Sequence, residues 1–334
     1  MEKTRLGIVG LGWIAQVVHL PILSKSSDVE IVAACDSDRR RGRLVAEKFG
    51  IPRFFDNFHK MLEETDLSAV IVATSTDAHK EVTLASLRAG KDVLVEKPIA
   101  RRCAEAVEMA EAAAATKRKL MVGMNHRFRP DTMILKSFIE GNELGEVYFV
   151  RTGWLRKRKL DTSWIVQKEM SGGGVFLDLG IVMLDMALWM MGYPVVKRVS
   201  ASHFNHKTRQ VEDTSLVSLT LGNGSRIHIE VSWSMYLDND LYFCHVFGSD
   251  GTATLNPLQV NKELHGSLVN LAPAKIEPPQ HLFKRSYENE LKHFLGAIRG
   301  VHPVISTADE AVQRMRVADA VYKSVRLGKE ISLT

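Results

Sequence analysis

The feature that most constrains this chain is an alternation of two hydrophobic periods over its first 120 residues. Short apolar, β-branched runs occur at Leu6–Val9, Val29–Cys35, Ala69–Thr74, Val93–Val95 and Leu120–Val122. Such continuous runs predict strands buried on both faces. Helical periodicity falls between them, at Ile14–Ser24, Arg39–Phe49, His79–Ala89 and Cys103–Thr116, with Gly50 and Gly90 placed to end two of these helices. Parallel strands need a crossover that packs on the sheet face, so the pattern predicts an α/β, doubly wound parallel sheet.

The texture changes after Gly123. A helix over Asp131–Glu140 leads to a strand at Val147–Trp154, and a Gly-rich entry opens a helix from about Gly174 to Trp189. Strand-like runs follow at Val196–Phe204, Thr214–Leu221, Ser225–Trp233, Tyr242–Phe247 and Thr252–Leu255, with Asn223-Gly224 and Asp250-Gly251 as tight-turn pairs. Two helices close the chain, Tyr287–Arg299 and Ala308–Leu327, the second with a Thr307-x-x-Glu310 capping box. The reading is two domains: residues 1–122 with the parallel sheet, and residues 123–334 as an α+β domain with a large, mostly antiparallel open sheet.

Composition narrows the classes. The 334 residues are 45% hydrophobic and 25% charged, which excludes a disordered or fibrous chain. Apolar runs break well short of the roughly 18 residues of a membrane span, so no membrane helix is expected. Met1–Arg5 leads into a short apolar run holding a Gly turn, so no secretory signal is expected either. Cys35, Cys103 and Cys244 are odd in number and scattered, which disfavours a disulfide framework and points to a reducing cytoplasm. The 44 basic and 39 acidic residues leave a net charge of +5, small for a nucleic-acid binder. The dense run Arg156-Lys157-Arg158-Lys159 reads as a solvated loop or strand edge, with a phosphate contact as the alternative.

Gly10-Leu11-Gly12-Trp13-Ile14-Ala15 follows the first strand and opens the first helix. The first glycine allows the tight turn, the second admits a pyrophosphate to the backbone N–H groups, and the helix N-terminus favours the anion. Asp36 ends the second strand, where a carboxylate accepts the ribose hydroxyls of adenosine. The motif predicts a dinucleotide, NAD before NADP, with Arg39, Arg40 and Arg41 close enough to allow NADP. Thr74, Ser75 and Thr76 end the fourth strand and can offer hydroxyls to the cofactor or cap a helix. His79 is a cofactor contact or a helix-start histidine. Glu96-Lys97-Pro98 ends the fifth strand, where a lysine can point at a substrate oxygen.

These motifs, with Asn125-His126-Arg127-Phe128 and Gly172-Gly173-Gly174…Asp178-Leu179-Gly180…Asp185, resemble the Gfo/Idh/MocA oxidoreductases over essentially the whole chain. The resemblance implies an N-terminal Rossmann domain, a C-terminal α/β domain with an open sheet, and hydride transfer between NAD(P) and a hydroxyl-bearing carbon of a sugar, sugar nucleotide or cyclitol. It implies Lys97 and Asp178 as catalytic residues, with Glu96 beside the cofactor. Asn125 and Arg127 fall near the nicotinamide, Arg127 also on the substrate side, and Trp164 and Tyr287 edge the cofactor pocket. The family pattern Asp-x-Gly-x-His is broken here, because Val182 stands where the histidine is expected. At helical spacing Asp178, Val182 and Asp185 share a face, so Val182 is expected on the substrate-pocket wall. Proton transfer would then fall to Lys97, to Asp178, or to His126.

The leading expectation is an NAD(P)-dependent dehydrogenase with a small carbohydrate-like substrate, no metal, no nucleic acid and no membrane partner. The alternatives are a catalytically silent dinucleotide-binding sensor and an NAD-dependent glycosidase. An open sheet face carrying apolar residues predicts a homodimer or homotetramer through the C-terminal sheet.

Overall fold

A computed structural model describes residues 3–158, 163–275 and 278–333, with the backbone alone at 279 and 280. The chain divides into two compact units: Met1–Met124 with Tyr287–Val312, and Asn125–Ser286 with Gln313–Thr334.

The first unit holds β1 (Thr4–Val9), β2 (Val29–Cys35), β3 (Arg53–Phe55), β4 (Ala69–Val72), β5 (Asp92–Glu96) and β6 (Leu120–Gly123). They form one sheet in the order β3-β2-β1-β4-β5-β6, every pair parallel. The strand order reverses between β1 and β4, so the crevice outside their carboxyl ends is where such a sheet binds ligands. All four residues of β4 are buried. Each fully buried aliphatic side chain, Ile8 and Ile71 among them, contributes about 1.5–3 kcal/mol.

Two local features depart from the sequence reading. β3 and the helix Phe58–Glu64 were not anticipated, because β3 is three residues long and only partly buried. The first helix contains a wide π turn, Ala15–His19, before the α turn Leu20–Leu23. Tyr287–Val312, late in the chain, groups with the first unit, where the Val122 N–H donates to the Ser306 carbonyl at 3.0 Å. The two residues are 184 positions apart, a pairing that no local pattern encodes.

The second unit is built on β7 (Val147–Leu155), β8 (Val196–Phe204), β9 (Thr214–Leu221), β10 (Arg226–Ser232), β11 (Leu241–Gly248), β12 (Gly251–Leu255), β13 (Gln259–Leu264), β14 (Ser267–Asn270) and β15 (Ile331–Ser332). The nine strands run in the order β14-β13-β12-β11-β7-β10-β9-β8-β15, antiparallel except for the β7–β10 pair. Along β10, Ile227, Ile229 and Val231 are buried while Arg226 and His228 are exposed, the two-residue alternation of a sheet covered on one face. Asn223-Gly224 turns the chain between β9 and β10 as expected. The capping box also forms, with the Glu310 N–H donating to Thr307 Oγ1 at 3.2 Å and the Thr307 N–H to Glu310 Oε2 at 3.0 Å.

One stretch, Lys168–Met190, is long and apolar enough to cross a membrane by length and composition, with mean hydropathy 1.6. Its most apolar window is 89% buried inside the protein, the condition of a core helix.

Candidate active site

In the first unit the expected cofactor residues gather at the carboxyl ends of β1, β2, β4 and β5. Gly10 has φ +93°, and a Cβ there would meet the Ala73 backbone at 2.5 Å, so only glycine fits. A Cβ on Gly12 would meet nothing within 4 Å, leaving an open approach to the start of the first helix. Thr76 Oγ1 and Asp77 Oδ1, at the head of the helix Thr76–Arg88, are buried polar atoms without a hydrogen-bond partner. An open glycine cradle beside orphaned polar atoms fits a dinucleotide phosphate and its hydration.

Asp36 is buried and its carboxylate is well anchored. Oδ2 accepts from the Leu11 N–H at 2.7 Å, and Oδ1 accepts from the Asp38 N–H at 2.8 Å and from Arg41 Nη2 at 2.7 Å. This ties the end of β2 to the glycine loop and places a guanidinium on the ribose-reading carboxylate. Trp13 and Ile14 open the helix, Trp13 65% exposed. Thr74 and Ser75 are half-buried; Ser75 stands at the N-cap but its side chain makes no capping bond.

Lys97 is half-buried directly after β5, and the Lys97–Pro98 peptide is cis. Glu96 Oε1 bonds His19 Nε2 at 2.8 Å, and Oε2 accepts from the Lys97 N–H at 3.2 Å. Burial pushes the Glu96 carboxyl up, but the His19 bond and the charges of His19, Lys97 and His79 outweigh it and hold the group low. His79 lies beneath this turn. Its ring is buried, with Nδ1 at 2.9 Å from the Pro98 carbonyl and Nε2 at 3.2 Å from the Thr74 carbonyl. Both nitrogens bond backbone carbonyls, which ties His79 to the Lys97–Pro98 turn. Burial holds this ring below the usual histidine range, against the pull of the two carbonyls.

In the second unit Asp178 lies in a wide π turn, Phe176–Gly180, ahead of the helix Ile181–Met190. Its Oδ2 accepts from Trp233 Nε1 at 3.0 Å and from Arg158 Nη1 at 3.2 Å. Glu212, unforeseen from sequence, sets this turn: its carboxylate accepts from the Gly174 and Phe176 N–H groups and from the Tyr322 hydroxyl. A Cβ on Gly174 would overlap the Glu212 backbone, which explains the need for glycine there. Burial raises the Glu212 carboxyl despite these donors.

Arg127 lies in the second unit. It is 1% exposed, donating from Nε and Nη2 to Asp185 at 2.8 and 2.6 Å, with Arg314 on the same carboxylate at 2.6 Å. Burial pushes the Asp185 carboxyl up, but the two guanidinium groups outweigh it and hold it low. The three side chains form a buried ion network. Asn125 is likewise buried, donating to Ser286 Oγ at 2.8 Å, and His126 packs against Trp154 and Tyr242 with Nδ1 at 3.1 Å from the Tyr242 hydroxyl. Val182 is 3% exposed, on the helix Ile181–Met190. Trp164 sits half-buried in a short 3₁₀ turn, and Tyr287 is buried edge-on to His19 in the first unit. Arg156, Lys157 and Arg158 extend from β7; Lys159 lies outside the described residues. Among the described residues no group of three or more His, Cys, Asp or Glu is arranged to hold a metal ion.

A parallel sheet in this order with a glycine cradle and an anchored β2 carboxylate defines a dinucleotide-binding oxidoreductase domain. Residues 4–124 match the description "Oxidoreductase family, NAD-binding Rossmann fold", and residues 136–333 match "Oxidoreductase family, C-terminal alpha/beta domain". The chain belongs to the Gfo/Idh/MocA oxidoreductase family. It is similar to a D-glucoside 3-dehydrogenase of Escherichia coli, 30% identical with 98% of this chain and 97% of that one covered. It is also similar to an inositol 2-dehydrogenase of Rhizobium meliloti, 28% identical over 98% and 99% of the two chains. Among solved structures, GenD2 from gentamicin A biosynthesis in complex with NAD superimposes with TM-score 0.88, 25% identity, and 100% and 97% coverage. The chain is an NAD-dependent oxidoreductase.

Proposed function

We propose that the protein oxidises, or in reverse reduces, a secondary alcohol carbon of a cyclic sugar or cyclitol. The observation that carries this reading is the placement of Lys97 at the same strand-end edge as the glycine cradle and Asp36, its turn held by His79. The named relatives act on a glucoside and on an inositol, which supports the substrate class. When bound, NAD supplies the hydride acceptor. Gly10, Gly12 and Asp36 would hold it, with Arg41 allowing NADP as a weaker choice.

Oxidation also removes the hydroxyl proton. Lys97 is assigned to the reacting oxygen: its Nζ would accept the hydroxyl proton as the hydride leaves the carbon, and the ammonium so formed would lie against the new carbonyl oxygen. Asp178 is assigned as a hydrogen-bond acceptor for a substrate hydroxyl. With Val182 where the family pattern places histidine, proton handling rests on Lys97. His126 is not assigned to it, since its Nδ1 lies against the Tyr242 hydroxyl.

The open face of the second unit's sheet is assigned to a homo-oligomer. Phe149 and Phe247 stack there at 5.1 Å beside Arg151, His228 and the exposed Leu216, an apolar patch that a second copy would cover. Cys35, Cys103 and Cys244 form no disulfide, which supports work in the reducing cytoplasm.

The test is NADH formation against a panel including methyl β-D-glucoside and myo-inositol. Turnover of at least one member is expected. Tight NAD binding with no turnover across the panel would support a silent sensor instead.

A further inference from the structure

Arg158 carries no assigned role, yet its surroundings are built. The backbone after β7 pairs with the end of β10: the Arg156 N–H donates to the Ser232 carbonyl at 3.0 Å and the Arg158 N–H to the Trp233 carbonyl at 2.8 Å. This pairing sets Arg158 beside Trp233, with its guanidinium 5.9 Å from the indole centroid. Both side chains then donate to one atom, Asp178 Oδ2. The indole is fully buried, so its N–H is a fixed donor, whereas the guanidinium is 39% exposed. Asp178 itself is 11% exposed and stands on a turn pinned by Glu212.

We propose that Arg158 is a positioning residue for the reaction: with Trp233 it clamps Oδ2 of Asp178 and orients the carboxylate as the acceptor for a substrate hydroxyl. The proposal rests on the reading above that Asp178 meets substrate. Two donors on one oxygen fix the rotation of the carboxylate plane. A carboxylate held in this way presents its lone pairs in a fixed direction, as an acceptor for a hydroxyl donor. Arg156 supplies the contrast. Two positions earlier, it carries the same charge but pairs with Asp240 at 3.1 Å and stacks over Trp154.

The test is a double-mutant cycle on the NAD-loaded enzyme, with methyl β-D-glucoside or myo-inositol as substrate. Arg158→Gln is expected to lower kcat/KM about ten-fold, as loss of a charge-assisted hydrogen bond would, and Arg158→Lys to restore most of it. In an Asp178→Asn background the same change should cost less than about two-fold, because the group it acts through is gone. Arg156→Gln should also cost less than about two-fold. Losses at 158 and 178 that multiply, or an Arg156→Gln loss equal to that of Arg158→Gln, would overturn the proposal. A second readout needs no turnover. The Trp233 indole N–H resonance, assigned with Trp233→Phe, should move in Arg158→Gln and in Asp178→Asn but stay in place in Arg156→Gln. A resonance that ignores Arg158 refutes the clamp. A moving resonance with no substrate oxidised keeps the clamp and counts against the proposed function.

Discussion

Two aspartate–arginine pairs sit seven residues apart in sequence and live in different physical regimes. Asp185 is held by Arg127 and Arg314, all three within 2% of full burial. Asp178 is held by Arg158 and Trp233, and the guanidinium stays open to solvent. A charge buried to that degree is stable only while every partner remains, so the first pair is a fixed internal joint. The second is cheap to disturb and able to meet a ligand. Residue type does not separate the two; burial does.

The largest expected effect comes from breaking the buried joint. Asp185→Ala leaves two guanidinium groups without their carboxylate and should cost about 3–5 kcal/mol of stability, read from the denaturant midpoint. A loss below about 1 kcal/mol would show that water or another group satisfies Arg127 and Arg314. Next comes Asp36 in the first unit, proposed above to hold the cofactor. Asp36→Ala should weaken NAD about ten-fold and NADP less, by fluorescence titration. Equal loss for the two cofactors would remove the ribose-reading role.

Acid tests a third regime, a titrating group without a charged partner. His203, half-buried against the Tyr322 ring, is pushed down to about 4 by burial. Its folded form stays neutral where the unfolded form, near 6.5, already takes a proton. Stability from this group is therefore present above about pH 6.5 and is lost as pH falls toward 4. His203→Gln should flatten the melting temperature over that window, and an unchanged acid slope would place the effect elsewhere. The smallest change is expected at the open pair: Asp178→Asn should alter stability by no more than about 1 kcal/mol, as partly exposed ion pairs do, while lowering activity. A stability loss as large as that of Asp185→Ala would erase the distinction between the pairs.

The comparison also explains what sequence could reveal. The first unit's plan was legible because Gly10, Gly12, Asp36 and the alternating strands and helices are local patterns, and each is dictated by backbone geometry. His19 was not legible as the partner of Glu96, because 77 residues separate them and neither belongs to a shared period. Glu212, Arg314 and Trp233 were missed for the same reason. The shared face expected for Asp178, Val182 and Asp185 assumed a regular 3.6-residue turn. The π turn at Phe176–Gly180 changes the phase between Asp178 and the helix that follows, and wide turns leave no mark in hydrophobic spacing. The carboxylate that Arg127 shares with Arg314, Asp185, was not legible either, because 58 and 129 residues separate it from the two guanidinium groups.

The central claim, that this is an NAD-dependent alcohol oxidoreductase whose proton chemistry runs through Lys97, is tested most directly by Lys97→Ala. NAD affinity and hydride acceptance are measured side by side on the same protein, with methyl β-D-glucoside or myo-inositol as substrate. The account predicts NAD binding within about two-fold of wild type and kcat reduced by about 10²–10⁴, the range of a positioned proton-transfer group. Turnover near the wild-type rate with NAD still bound would contradict it.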